Sequence, residues 1–218
     1  MKHSLATLLF LALMLTSHRE AASQNIFKGL INLKEADSTL VVDLMYAKPD
    51  NFVGEKMYNF DEAYLHPHAA KALKEASRQL RAAHPDLRLI IYDAARPMHV
   101  QQKMWNKVKG TPQQNYVSNP ANGGGLHNYG LAVDVSIVDS KGDTLPMGTV
   151  VDALTHLSHT DKEQELVRRG KISAEAARNR ALLRGVMKKA GFRPLRSEWW
   201  HFNYTTRANA RAKYKAIP

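Results

Sequence analysis

An aspartate sits where a strand would otherwise be wholly apolar. In Gly130-Leu131-Ala132-Val133-Asp134-Val135, extended geometry sends successive side chains to opposite faces. Leu131, Val133 and Val135 then form an ordinary core face. Gly130, Ala132 and Asp134 share the other face: two minimal side chains and a carboxylate. An ionised carboxylate in such surroundings is costly unless a cation or hydrogen bonds satisfy it. The fold must therefore bring a partner to Asp134.

Two candidate partners stand near in sequence or in character. His127 lies just before the strand and can fold back over Gly130. Far downstream, Ser197-Glu198-Trp199-Trp200-His201 offers a second histidine with a glutamate three residues earlier. In a regular strand those two would face opposite sides, so a bend or bulge is expected near Glu198. Two histidines and a carboxylate are enough protein ligands for a catalytic zinc ion that keeps an open position for water. Glu198 would then be the general base. Trp199 and Trp200 would wall the site and lower its dielectric. Taken singly, each residue has a plainer reading: a hydrogen-bonded histidine, a strand aspartate paired with arginine, a core tryptophan. The spacing H-x6-D followed by E-x-x-H is what favours chemistry.

Around these motifs, three stretches carry helical spacing of apolar residues: Pro67–Ala83, 97–109 and 174–190, the last with Ser173 as N-cap and Gly191 as C-terminal stop. Strands are expected at 39–45, 87–92, 131–138 and 199–204. Residues 119–125 read as a glycine-rich loop. Helices and strands interleave without regular alternation, so the fold class is α+β.

At the start, Lys2 and His3 precede an apolar run from Leu5 to Leu15, then polar residues and the small Ala21-Ala22-Ser23. This is the layout of a secretory signal, and the run is short of the roughly 20 residues that span a bilayer. Residues 1–23 are expected to be a signal peptide and 24–218 the catalytic domain. The mature protein would be exported, periplasmic or secreted, with no stable membrane anchor. The sequence has no cysteine, so packing and a metal, not disulfides, must stabilise it. Removing the leader takes away two cations and one anion, bringing the formal charge from +11 to +10. That balance suits weak attraction to anionic cell-wall polymers. No nucleic-acid-binding motif is present.

The pattern His-x-x-Gly-x-Ala-x-Asp followed by Glu-Trp-Trp-His resembles the zinc D-alanyl-D-alanine dipeptidase family, of the Hedgehog and D,D-peptidase superfamily. The resemblance runs from Tyr46 to Tyr204. It includes Tyr46-Ala47-x-x-Asp50-Asn51-Phe52, Asp93-Ala94-Ala95-Arg96-Pro97 and Pro146-Met147-Gly148-x-x-x-Asp152. It implies one domain with a central, mainly antiparallel sheet flanked by helices. It also implies one zinc ion on His127, Asp134 and His201, with Glu198 as general base. Arg96 would meet the scissile carbonyl, Asp152 would receive the substrate's ammonium group, and Tyr46 and Asn51 would line the same pocket. An ammonium anchor close to the metal leaves room for one residue before the cut, which makes a dipeptidase and implies a small dipeptide substrate. Leu126 and Ala95 depart from the family's usual residues beside the pocket. A D,D- or L,D-carboxypeptidase acting on wall peptides and a non-catalytic zinc-bearing binding protein are the alternatives. Asp152 weighs against the first, Glu198 and Arg96 against the second.

Overall fold

A computed structural model describes residues 26–218; the expected signal segment lies outside them. In chain order the elements are β1 (Ile31–Asn32), α1 (Leu33–Ala36), β2 (Val41–Val42), β3 (Tyr64–Leu65), α2 (Pro67–Ala83), β4 (Arg88–Asp93), α3 (Met98–Val108), β5 (Ala132–Val138), α4 (Glu163–Arg168), α5 (Ala174–Lys189), β6 (Arg193–Pro194), β7 (His201–Asn203) and α6 (Arg207–Lys213). The class is α+β, as expected from the irregular alternation. Five strands form the main sheet in the order β2-β4-β5-β7-β6; β1 and β3 pair separately. Only β2 with β4 is parallel, and the other three neighbours in the main sheet run antiparallel.

Helix α2 follows its sequence pattern to the residue. Pro67 occupies the first turn, where a missing N–H costs nothing, and Ala69, Ala70, Leu73, Ala76 and Leu80 form its buried stripe. Helix α5 starts where expected, with the Ser173 side chain accepting the N–H of Ala176 at 3.0 Å. Gly191 follows with φ +98°, a value that suits glycine after a helix end.

The strands are shorter than the sequence suggests. The stretch 39–45 yields only Val41–Val42, because the chain tightens into a helical turn at Met45–Ala47. Of 199–204, only His201–Asn203 pairs, and Trp199 and Trp200 form the turn before it. That turn supplies the bend expected near Glu198.

Strand β5 is the spine of the site. All seven of its residues are buried, so both faces are covered, and Asp134 reaches open space only through the cavity it lines. Asp134 stands opposite Asp93 on β4 and His201 on β7, with a register irregularity between Ile91 and Asp93. The bulge re-aims Asp93 and brings three polar side chains to one level of an otherwise apolar sheet.

Candidate metal centre and active site

His127 is delivered by a tight helical turn, Leu126–Tyr129, that ends at Gly130. Gly130 has φ +63°, and a Cβ there would lie 3.0 Å from the backbone nitrogen of His66. Only glycine fits that reversal without strain. Asn128 braces the turn: its Oδ1 accepts the Gly125 N–H at 2.8 Å, and its Nδ2 donates to the Arg96 carbonyl at 2.8 Å.

The two histidines are locked by their outer nitrogens. His127 Nδ1 meets the Ala94 carbonyl at 2.7 Å. A carbonyl only accepts, so Nδ1 carries the proton and Nε2 presents a lone pair. His201 Nε2 meets Asn203 Oδ1 at 2.9 Å, which leaves Nδ1 as its free nitrogen. The freed nitrogens stand 3.1 Å apart, and Asp134 lies 3.4 Å from His127 Nε2 and 3.0 Å from His201 Nδ1. All three ligand atoms fall within 4.8 Å of one another.

With neutral rings, two lone pairs and a carboxylate converge with no donor between them. Only a cation relieves that arrangement, and the donor set fits a divalent ion. Burial disfavours a charged His201 ring, yet the hydrogen bond and charge of Asp134 lift it to about 9. Burial alone would raise Asp134, but His127 and His201 hold its carboxyl well below the usual range.

Glu198 is buried, with its carboxylate 3.9 Å from His201 Nδ1. Burial pushes it up to about 7, against the opposing pull of His201 and with help from Asp134. That value suits a group that takes and returns a proton near neutrality.

Arg96 is held in a fixed pose. Its Nε and Nη2 both donate to Asp93 Oδ2, at 3.1 and 2.5 Å, and Nη1 donates to Gln101 Oε1 at 3.0 Å. The Tyr46 ring lies 5.1 Å from the guanidinium carbon. The salt bridge with Asp93 and a place in the cavity wall coexist: three N–H groups are used and two remain.

Asp152 receives a hydrogen bond from the Tyr46 hydroxyl, and Tyr46 is itself buried. At φ +60°, Asp152 is the one non-glycine residue with positive φ among the described residues. Such strain persists only where the surroundings over-determine it, and it gathers at functional sites. Here the surroundings are visible. Buried Arg180 on α5 donates from Nε to the Met147 carbonyl at 2.7 Å and from Nη1 and Nη2 to the Leu157 carbonyl at 3.1 Å. Trp199 Nε1 adds a bond to Thr149 Oγ1 at 2.8 Å. The loop 147–157 is thus clasped at both ends.

A cavity of about 280 Å³ gathers Tyr46, Arg96, His127, Asp134, Asp152, Glu198 and His201. Asn51 borders a neighbouring cavity of about 670 Å³ instead. Its amide donates to the carbonyls of Lys48 and Glu55 at 2.7 and 2.9 Å, and its Oδ1 accepts the Val53 N–H at 2.9 Å. Phe52 and Asp152 border both cavities.

The sequence motif Asp93-Ala94-Ala95-Arg96-Pro97 assigns Asp93 no role of its own. Asp93 is fully buried, accepts the Tyr58 hydroxyl at 2.6 Å, holds Arg96, and lies 3.5 Å from His127 Nδ1. Gln101, Asn128, Asn203 and Arg180 were missed. The one available signal was Arg180 itself, a cation among the inward positions of an amphipathic helix.

An α+β domain with a His-Asp-His cluster beside a buried glutamate and a fixed arginine is a metallohydrolase. Residues 27–217 match the peptidase M15 family, described as D-ala-D-ala dipeptidase, and the chain belongs to that family. It is 32% identical over 173 residues to the D-alanyl-D-alanine dipeptidase of Escherichia coli K12, covering 79% of this chain and 83% of that protein. It is 25% identical over 193 residues to the D-alanyl-D-alanine dipeptidase of Enterococcus faecalis V583, covering 80% and 90%.

Proposed function

We propose that this enzyme hydrolyses free D-Ala-D-Ala-type dipeptides, with one zinc ion held by His127, Asp134 and His201. The observation that carries the reading is the convergence of those three ligand atoms beside Glu198 in a small cavity that Asp152 also borders. A divalent ion bound there supplies a Lewis acid that acidifies water and polarises a carbonyl oxygen. Glu198 takes the proton of the attacking water and returns it to the leaving amine. Arg96, its geometry fixed by Asp93 and Gln101, directs its remaining N–H groups at the developing oxyanion. Asp152, steadied by Tyr46, receives the substrate's ammonium group and so limits the chain before the cut to one residue. Asn51 orders the loop that presents Phe52 to the same wall. The three antiparallel pairings of the main sheet support assignment to the Hedgehog and D,D-peptidase superfamily fold.

The basic start and apolar run of residues 1–23 support export, and with it a periplasmic or secreted enzyme. Such an enzyme meets dipeptides released from the wall, in turnover or scavenging, and its positive charge favours the anionic polymers there. Recovery of the protein from the cytoplasm with residues 1–23 intact would refute that setting.

The test of the activity compares hydrolysis of D-Ala-D-Ala, D-Ala-D-Ala-D-Ala and L-Ala-L-Ala, with and without chelator. Chelator-sensitive cleavage of the first alone is expected. Cleavage of the tripeptide would make the enzyme a carboxypeptidase. Glu198→Gln should keep the metal and lose about 10²–10⁴-fold in kcat; unchanged kcat would refute the base.

A further inference from the structure

The catalytic cavity is bordered by a second arginine besides Arg96, solvent-exposed at its rim. Arg207, the first residue of α6, lines it together with Ser118, Thr205 and Thr206. The two arginines differ in how they are neutralised. Arg96 is neutralised by the Asp93 carboxylate and braced by Gln101, with two N–H groups left over. Arg207 donates from Nη2 to Ser118 Oγ at 3.1 Å, and no carboxylate among the described residues forms an ion pair with it.

The Ser118 hydroxyl is placed with some precision. A Cβ on Gly125 would lie 2.9 Å from Ser118 Oγ, so the absence of a side chain at 125 keeps that oxygen in the cavity wall. Because Oγ accepts from Arg207, its own O–H remains free to donate. An arginine with spare N–H groups beside a hydroxyl with a spare O–H is a donor array that fits a carboxylate. It also lies away from the acidic end. Asp152 and Phe52 face both cavities, whereas Ser118, Thr206 and Arg207 border only the catalytic one.

We propose that Arg207 and Ser118 bind the α-carboxylate of the substrate's C-terminal residue, so that the cavity reads both charged ends of a free dipeptide. This rests on the dipeptidase reading above. It assigns the limit on the far side of the cut to Arg207, as Asp152 limits the near side. A substrate whose C-terminus is amidated loses the interaction.

The experiment compares D-Ala-D-Ala with its C-terminal amide on the metal-loaded enzyme, in native form and as Arg207→Met, Arg207→Lys and Arg211→Met. Arg211 stands on the same helix outside the cavity and serves as control. One charged hydrogen-bonded contact corresponds to about 10–100-fold. Arg207→Met should raise KM for the free dipeptide by that factor with little change in kcat, and should leave cleavage of the amide unaltered. Arg207→Lys should recover part of the loss, and Arg211→Met should match the native enzyme. Equal effects of Arg207→Met on acid and amide, or no effect on either, overturn the proposal. Calorimetric binding of D-Ala-D-Ala to Glu198→Gln, with and without Arg207→Met, needs no turnover. Binding that weakens with Arg207→Met supports the carboxylate site even if hydrolysis fails. Binding that is absent, or insensitive to Arg207, overturns it.

Discussion

Replacing Arg180 by methionine separates stability from recognition. Methionine keeps much of the side chain's volume, so the packing loss is small. The polar loss is larger. The Met147 and Leu157 carbonyls lose their bonds at 2.7 and 3.1 Å, and bonds to a charged donor are worth about 1.5–3 kcal/mol each. Two carbonyls together give about 3–6 kcal/mol. Against this, the variant no longer buries a guanidinium whose nearest carboxylate, Glu163, is 4.0 Å away. Burial pulls Arg180 down to about 10 even so, which marks a cation incompletely compensated. Glu163 keeps Arg184 in a two-pronged pair at 2.8 and 3.0 Å and is not orphaned. The net expectation is about 2–4 kcal/mol lost, read by urea unfolding of the metal-loaded protein. Kinetics should show a second effect. With its loop unclasped, Asp152 leaves its strained φ, so KM for the dipeptide rises while kcat changes less. A variant within about 0.5 kcal/mol of the native protein, with KM unchanged, would refute the clasp.

Other expectations follow from the same geometry. Burial, then the charge of Asp134, lifts Asp152 to about 7. Its ionised form therefore fades as pH falls through that value, and KM should rise on the acid side; a KM flat from pH 8 to 5 would contradict the ammonium role. Metal removal should abolish hydrolysis and lower the melting temperature, since a ligand at about 1,000 times its Kd adds about 4 kcal/mol. A melting temperature indifferent to added divalent ion would exclude the assigned cluster. Gly130→Ala should cost about 2 kcal/mol or more, from left-handed strain and the close approach to His66; an unfolding midpoint unchanged in urea would show that the turn relaxes freely.

What the sequence made legible was whatever local pattern controls. The apolar stripe of α2 and the Ser173 cap are properties of neighbouring residues, and both stand where expected. His127, Asp134 and His201 were readable because a buried carboxylate demands a partner and few residue types can answer. The short strands were not readable. β1, β3 and β6 have two residues each, and their extended state comes from what lies beside them. The supporting shell was hidden for the same reason. Asp93 and Asn128 act through contacts 32 to 35 residues distant in sequence, and Arg180 holds carbonyls 23 and 33 residues away. Asn51 shows the converse: a motif residue whose side chain is taken up by its own loop.

The alignment of Asp93, Asp134 and His201 across three adjacent strands has a consequence for assembly. Side chains alternate along a strand, so a slip of one residue in β5 or β7 would turn a ligand to the opposite face. A misregistered sheet could still bury Val133, Val135 and Phe202 after a fashion, but it could not gather the ligands around one ion. The pairing of β5 with β7 is therefore what sets Asp134 beside His201, as the pairing of β4 with β5 sets Asp93 beside Asp134.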